Sequence, residues 1–217
     1  MRMVIMLLIG WGVLSAVRAE APLLAKADFE SGDLADWNFT DPEAWRIQPD
    51  GNSQVLALFQ PSKYRAKVRS PYGVALLKRP AVGDFQLDLR FKSLTKNYNH
   101  RDLCLFFGYQ DPEHFYYVHF GRNADPHSNS IFIVNGSPRT SIAKDRTKGT
   151  NWTDDWHRAR IVRDTKTGKI EVYFDDMTKP AMMAEDTTFL TGQVGVGSFD
   201  DLGAFDDIEL RGSPVEK

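Results

Sequence analysis

A single cysteine, Cys104, stands among the 217 residues, so no intrachain disulfide can form and cohesion has to come from buried apolar surface. Its setting, Leu103-Cys104-Leu105-Phe106-Phe107, is that of a small core residue and not of a reactive thiol. No segment of ten or more residues keeps a 3.6-residue apolar period, which argues against a helical architecture. Neither sign of charge dominates. The formal net charge is −2 with both signs interspersed, so there is no basic stripe to meet a phosphate backbone, and nucleic acid is not expected as a partner. Nucleotide loops, the Gly-x-Ser-x-Gly elbow and zinc-protease motifs are also missing.

The one long apolar run lies at the start. Arg2, the stretch Met3 to Ala16 and the small-residue site Val17-Arg18-Ala19 have the layout of an export signal cleaved after Ala19. The run is too short to span a bilayer, and nothing later approaches the roughly 20 apolar residues a crossing needs. The expectation is a secreted protein, periplasmic or extracellular, without a membrane partner once residues 1–19 are removed. The remaining residues 20–217 are enough for one sizeable core and are expected to form a single domain. Losing Arg2 and Arg18 takes the net charge from −2 to −4. Sequons at Asn38, Asn135 and Asn151 matter only in a eukaryotic secretory route.

Between clusters of Gly, Pro, Asn and Asp, short runs alternate apolar and polar residues, and this pattern predicts strands. They are expected at 55–59, 73–78, 85–91, 103–107, 115–120, 131–134, 140–142, 156–163, 169–174, 193–199 and 205–210. In Phe85-Gln86-Leu87-Asp88-Leu89-Arg90-Phe91, Gln86, Asp88 and Arg90 share one side because successive side chains of a strand point to opposite faces. The pattern calls for an all-β sandwich of two antiparallel sheets. If neighbouring strands alternate in direction, the short connections 108–114, 135–138, 164–168 and 200–204 fall at one end, and the long ones 92–102, 121–129, 143–155 and 175–192 at the other. Long polar loops on a rigid scaffold commonly carry function.

Several segments carry a family likeness. Ala27-Asp28-Phe29-Glu30-Ser31-Gly32-Asp33-Leu34-Ala35-Asp36-Trp37 resembles the first strand and turn of concanavalin A-like lectin and glucanase domains. Trp156 to Arg163, Gly168 to Asp175, Gly192 to Asp201 and Phe205-Asp206-Asp207-Ile208 follow the order of laminin-G-like jelly rolls and are similar to the bacterial 3-keto-disaccharide hydrolase domains. The likeness spans nearly all of 27–212 and implies a jelly-roll β-sandwich. It also implies that Glu30, the carbonyl of Gly32, Asp206 and Asp207 occupy positions that hold a structural calcium in several relatives, joining the two chain ends through hard oxygen ligands. Two features depart from the catalytic members. The Glu-x-Asp-x-x-Glu run of the glucanases is missing, and so is the Asn-Ser-Gly-Ile segment of the 3-keto-disaccharide hydrolases.

Pairing 103–107 with 115–120 as a hairpin sets His100, Arg101 and Asp102 beside His119, Arg122 and Asn123, with Asp125 and His127 above them. Arginine forks and carboxylate or amide acceptors of this kind suit vicinal hydroxyls or a carboxylate; internal ion pairs at a loop end are the structural alternative. The spacing of the three histidines matches no short zinc motif. One of Tyr116 and Tyr117 is expected to face solvent, Tyr117 being the one that shares a side with His119, and Trp152 is a second candidate platform for a sugar ring. Trp37, Trp45 and Trp156 are expected in the core. For hydrolysis, Asp88, Asp102, His119 and Glu171 are the acid–base candidates, with Asp88 and Glu171 meeting only if their strands are neighbours. The leading reading is a carbohydrate-binding jelly roll with a glycan partner. The alternatives are a glycoside hydrolase of the 3-keto-disaccharide type and an adhesive, protein-binding module.

Overall fold

The structure is a computed structural model that describes residues 21–215; the expected export signal, 1–19, lies outside the described residues. In chain order the strands are β1 (Leu23–Ala27), β2 (Trp37–Phe39), β3 (Trp45–Asp50), β4 (Ser53–Leu58), β5 (Gly73–Leu77), β6 (Val82–Ser93), β7 (Asp102–Asp111) and β8 (His114–Gly121). They continue as β9 (Ser130–Asn135), β10 (Thr140–Ser141), β11 (Ala143–Arg146), β12 (His157–Asp164), β13 (Lys169–Phe174), β14 (Met182–Glu185), β15 (Gln193–Ser198) and β16 (Gly203–Pro214). Every strand expected from the sequence is present. Five more, β1, β2, β3, β11 and β14, are added where alternation is short or broken, for instance by Pro49 inside β3.

Two sheets result. The first runs β11-β14-β13-β12-β6-β16-β4-β3, with β1 also paired to β16, and the second runs β10-β9-β8-β7-β15-β5-β2. The first strand thus pairs with the last, Ala27 opposite Ile208. Alternation along β6 turns Phe85, Leu87, Leu89 and Phe91 into the space between the sheets, where they are buried. Phe91 is the hub. Its ring lies 4.9 Å from Trp152, 5.2 Å from Phe120 and 5.9 Å from Phe174. In the second sheet β15 is squeezed between β5 and β7, and a Cβ on Gly197 would sit 1.9 Å from the Gly73 carbonyl oxygen. Only glycine fits there.

The outer face of the second sheet is not open. Val74, Cys104, Phe106, Phe115, Tyr117, Phe132 and Phe199 form a second apolar cluster on it, with Val68 and Tyr72 packed on top. The connection 59–72, between β4 and β5, is therefore a strap over this face. Tyr72 N–H donates to Phe199 O at 3.0 Å and Arg139 N–H to Arg69 O at 3.2 Å. The Arg139 guanidinium lies 4.2 Å from the Phe199 ring centroid and donates to the Tyr117 hydroxyl at 2.8 Å.

The connections do not sort into ends as the sequence suggested. Leu94 N–H donates to Leu202 O, Arg122 N–H to Arg101 O and Ala124 N–H to Lys148 O, so the short segment 200–204 sits with the long loops. The reason is β14, which interrupts 175–192. It leaves 175–181 at the long-loop end, where Thr147 N–H donates to Ala181 O, and carries 186–192 to the opposite end, where Asp186 N–H donates to Gly168 O.

With three aromatic partners lost at once, Phe91→Ala is expected to lower unfolding stability by about 3–5 kcal/mol, read as a reduced urea midpoint at unchanged denaturant slope.

Candidate functional site

The hairpin arithmetic holds in register. Cys104 lies opposite His119 and Asp102 opposite Gly121 on β7 and β8, and Asn123 N–H reaches Asn99 O at 3.2 Å. The side chains nevertheless form no open rim. Arg101 is 2 % exposed and points inward, donating to Ser93 O and Asp154 Oδ1, both at 3.0 Å. Asp102 and His119 lie beneath the second cluster at 1 % and 4 % exposure. Tyr116 and Tyr117 are both buried, correcting the expectation that one faces solvent. Trp152 is buried too, its Nε1–H donating to Phe120 O at 2.7 Å. On the surface remain His100, 3.1 Å from Asp125, Asn123 and His127, with Arg122 half-buried.

The buried group is a polar island. His119 Nε2 lies 3.3 Å from Asp102 Oδ2, and the same oxygen accepts from Phe199 N–H at 3.2 Å and Cys104 S–H at 3.4 Å. Desolvation, then the charge of Asp201, pushes the Asp102 carboxyl up to about 8. Desolvation and the Arg139 charge pull His119 down to about 3. Burial likewise pushes the Cys104 thiol up. Aspartic acid and histidine therefore meet as neutral groups at pH 7. Asp102, Cys104 and His119, or Asp102, Asp200 and Asp201, come close enough to share an ion. Internal hydrogen bonds already engage Asp102 and Asp201 in these sets, Asp102 N–H donating to Asp201 Oδ2 at 2.8 Å.

Of the expected calcium ligands, Glu30 and Asp206 are linked through Ser53, and Asp206 and Asp207 through a cation the chain supplies. Ser53 Oγ lies 2.7 Å from Glu30 Oε1 and 3.1 Å from Asp206 Oδ2. The Arg90 guanidinium contacts Asp206 and sits 3.0 Å from Asp207 Oδ2. Gly32 closes the turn after β1, its N–H on Phe29 O. With Arg90 where an ion would have to sit, the residues do not fit a calcium cage. Asp88 and Glu171, the expected carboxyl pair, are separated by β12, since Glu171 faces Val162 and Asp88 faces Arg160.

The outer face of the first sheet is where polar side chains stay open. Across β13, β12, β6 and β16 one register row reads Tyr173, Arg160, Asp88, Glu209, and the next reads Glu171, Val162, Gln86, Arg211. The β12, β6 and β16 members of these rows other than Val162 floor a groove of about 380 Å³ lined by Gln86, Asp88, Leu89, Arg90, Arg158, Arg160, Asp207, Glu209 and Arg211. It continues over Gln86, Arg160 and Arg211 into a second hollow of about 520 Å³. Arg160 Nε donates to Asp88 Oδ1 at 2.7 Å. Trp156, expected in the core, is half-buried at the surface, with Arg90 4.6 Å from its ring centroid and its Nε1–H on Asp50. Sequence reasoning placed Asp88 outward but missed Arg158, Arg160, Glu209 and Arg211. Their odd–even parity in 156–163 and 205–212 carried the signal, while the neighbour order β12-β6-β16 did not show in the sequence.

No family model and no curated protein matches the chain. Solved structures do. The chain is similar to the carbohydrate-binding module CBM66 from Bacillus subtilis, at 14 % identity over 81 % of this chain and 95 % of that one, with a TM-score of 0.59. It is similar to domain 4 of AbnA, a GH43 extracellular arabinanase from Geobacillus stearothermophilus solved with arabinotriose, at 13 % identity over 91 % and 95 % and TM-score 0.56. A Bacillus subtilis protein of unknown function with a galectin-like fold gives 14 %, 91 %, 99 % and 0.57. These likenesses establish the fold alone, a two-sheet antiparallel jelly-roll β-sandwich.

Two measurements follow from this geometry. Between about 3.8, the ordinary aspartate value, and about 8 the folded chain keeps a proton on Asp102 that the unfolded chain has released, so stability falls as pH rises there. His119 acts in the opposite direction between about 3 and its ordinary 6.5. The two offset each other below 6.5, and urea midpoints should decline from pH 6.5 to 8 by the equivalent of about 1–2 kcal/mol; Asp102→Asn should flatten that decline. Separately, EDTA should leave the melting temperature unchanged. Arg90→Ala should lower stability by roughly 3 kcal/mol by stranding the buried Asp206 carboxylate.

Proposed function

We propose that this protein binds carbohydrate across the outer face of the first sheet. The observation that carries the reading is the row Arg160, Asp88, Glu209, which sets donor, acceptor and acceptor side by side on three adjacent strands along an open groove, with Tyr173 next in register on β13. Guanidinium donors and carboxylate acceptors at strand spacing match neighbouring hydroxyls of a sugar. The partly exposed Tyr173 ring offers an apolar surface for a pyranose face. The second sheet cannot serve, because the 59–72 strap covers it.

The names of similar structures, one a carbohydrate-binding module and one solved with arabinotriose, support a glycan ligand. Export, as residues 1–19 suggest, would bring the protein to extracellular or periplasmic polysaccharide. Binding is favoured over cleavage, since a hydrolase needs a protonated carboxyl at its substrate. The carboxyls held above the usual range by burial, Asp102, Asp201 and Asp206, are all buried, and Asp102, pushed up to about 8, is sealed on the far sheet.

A glycan array followed by calorimetry tests this. Wild type should bind at least one oligosaccharide without releasing product. Arg160→Ala and Asp88→Ala should each weaken binding about tenfold or more, and Lys67→Ala on the strap should leave it unchanged. Equal binding by wild type and Arg160→Ala would reject the groove.

A further inference from the structure

We propose that the groove selects an anionic sugar and that Arg158 receives its carboxylate. This deepens the glycan reading above and rests on it. Four arginines line the groove against three carboxylates, those of Asp88, Asp207 and Glu209. Three arginines are engaged. Arg160 holds Asp88 at 2.7 Å, Arg90 holds Asp207 at 3.0 Å together with Asp206, and Arg211 sits 3.4 Å from Glu209.

Arg158 is different. It is exposed, and among the described residues its guanidinium meets no carboxylate. Asp175, the acidic residue bonded to its backbone, accepts from the Arg158 N–H at 3.0 Å and lies 2.8 Å from His157 Nδ1, so each of its oxygens already has a partner. On the other side, Arg158 lies directly opposite Arg90 across the β12–β6 pair. Two guanidinium groups facing each other repel unless an anion lies between or above them. Arg90 is tied back by its aspartates and the Trp156 ring, which leaves Arg158 as the groove arginine without a carboxylate partner among the described residues.

A planar, unengaged guanidinium on a rigid strand is preset for two parallel hydrogen bonds to a carboxylate. A neutral sugar would leave this donor set to water. The uronate carboxyl would take it, while the row beginning at Arg160 holds the ring hydroxyls of the same or the next residue. Sulfate esters offer similar oxygens, so the assignment to carboxylate is tested against them directly.

Calorimetry with the full chain, using tri-galacturonate, a neutral galactan trisaccharide and a sulfated galactan trisaccharide, decides the matter. Tri-galacturonate should bind most tightly, and its affinity should fall between 50 and 500 mM NaCl. Arg158→Ala should weaken it about tenfold or more, with Arg158→Lys recovering only part. An unchanged melting temperature for Arg158→Ala would confirm that the fold is intact. Retained uronate affinity in Arg158→Ala, or preference for the sulfated sugar, overturns the carboxylate assignment. Binding of the neutral sugar alone overturns anionic selection while leaving the groove a glycan site, and silence from every glycan overturns both.

Discussion

The structure hangs on the strict alternation of β6. Its odd-numbered residues Phe85, Leu87, Leu89 and Phe91 fill the space between the sheets, and the even-numbered Gln86, Asp88 and Arg90 stand on the other side of the same backbone. Because the side-chain period is two, core and groove are set by one register, and a slip of one residue would exchange them. β12 and β16 flank β6 and repeat the parity with Ala159 and Ile161 against Arg158 and Arg160, and with Ile208 and Leu210 against Glu209 and Arg211.

The two faces of the sandwich are treated unequally. On the second sheet, outward positions are aromatic, and the chain spends the fourteen residues 59–72 closing over them. On the first, outward positions are charged and remain accessible. Inserting Asp102, Cys104 and His119 under the closed face is tolerable because all three are held neutral there. A buried polar group without charge costs far less than an ion.

Much of the fold was legible because amphipathic strands announce themselves by alternation, and the hairpin that brings 100–102 beside the end of β8 followed from counting. What counting could not give was which surface a distant connection covers. Nothing local in 59–72 says that it lies over Tyr117 and Phe132, so residues read as an exposed rim proved to be interior. The two tryptophans 152 and 156 exchanged roles for a related reason. Trp152 comes from an irregular segment whose direction no period fixes, and Trp156 precedes β12 in the outward parity. Arg90, which pairs with Asp206 and Asp207 of the expected calcium set, reaches them from a neighbouring strand that only topology brings alongside.

Because the groove is floored by strands and not by loops, its polar groups inherit the stiffness of a hydrogen-bonded ladder on both sides. A ligand arriving there meets side chains anchored on a backbone that has already surrendered its freedom, so little further ordering is charged against association. Such a surface favours quick, reversible contact with repeated units along a polymer over slow capture of a single end.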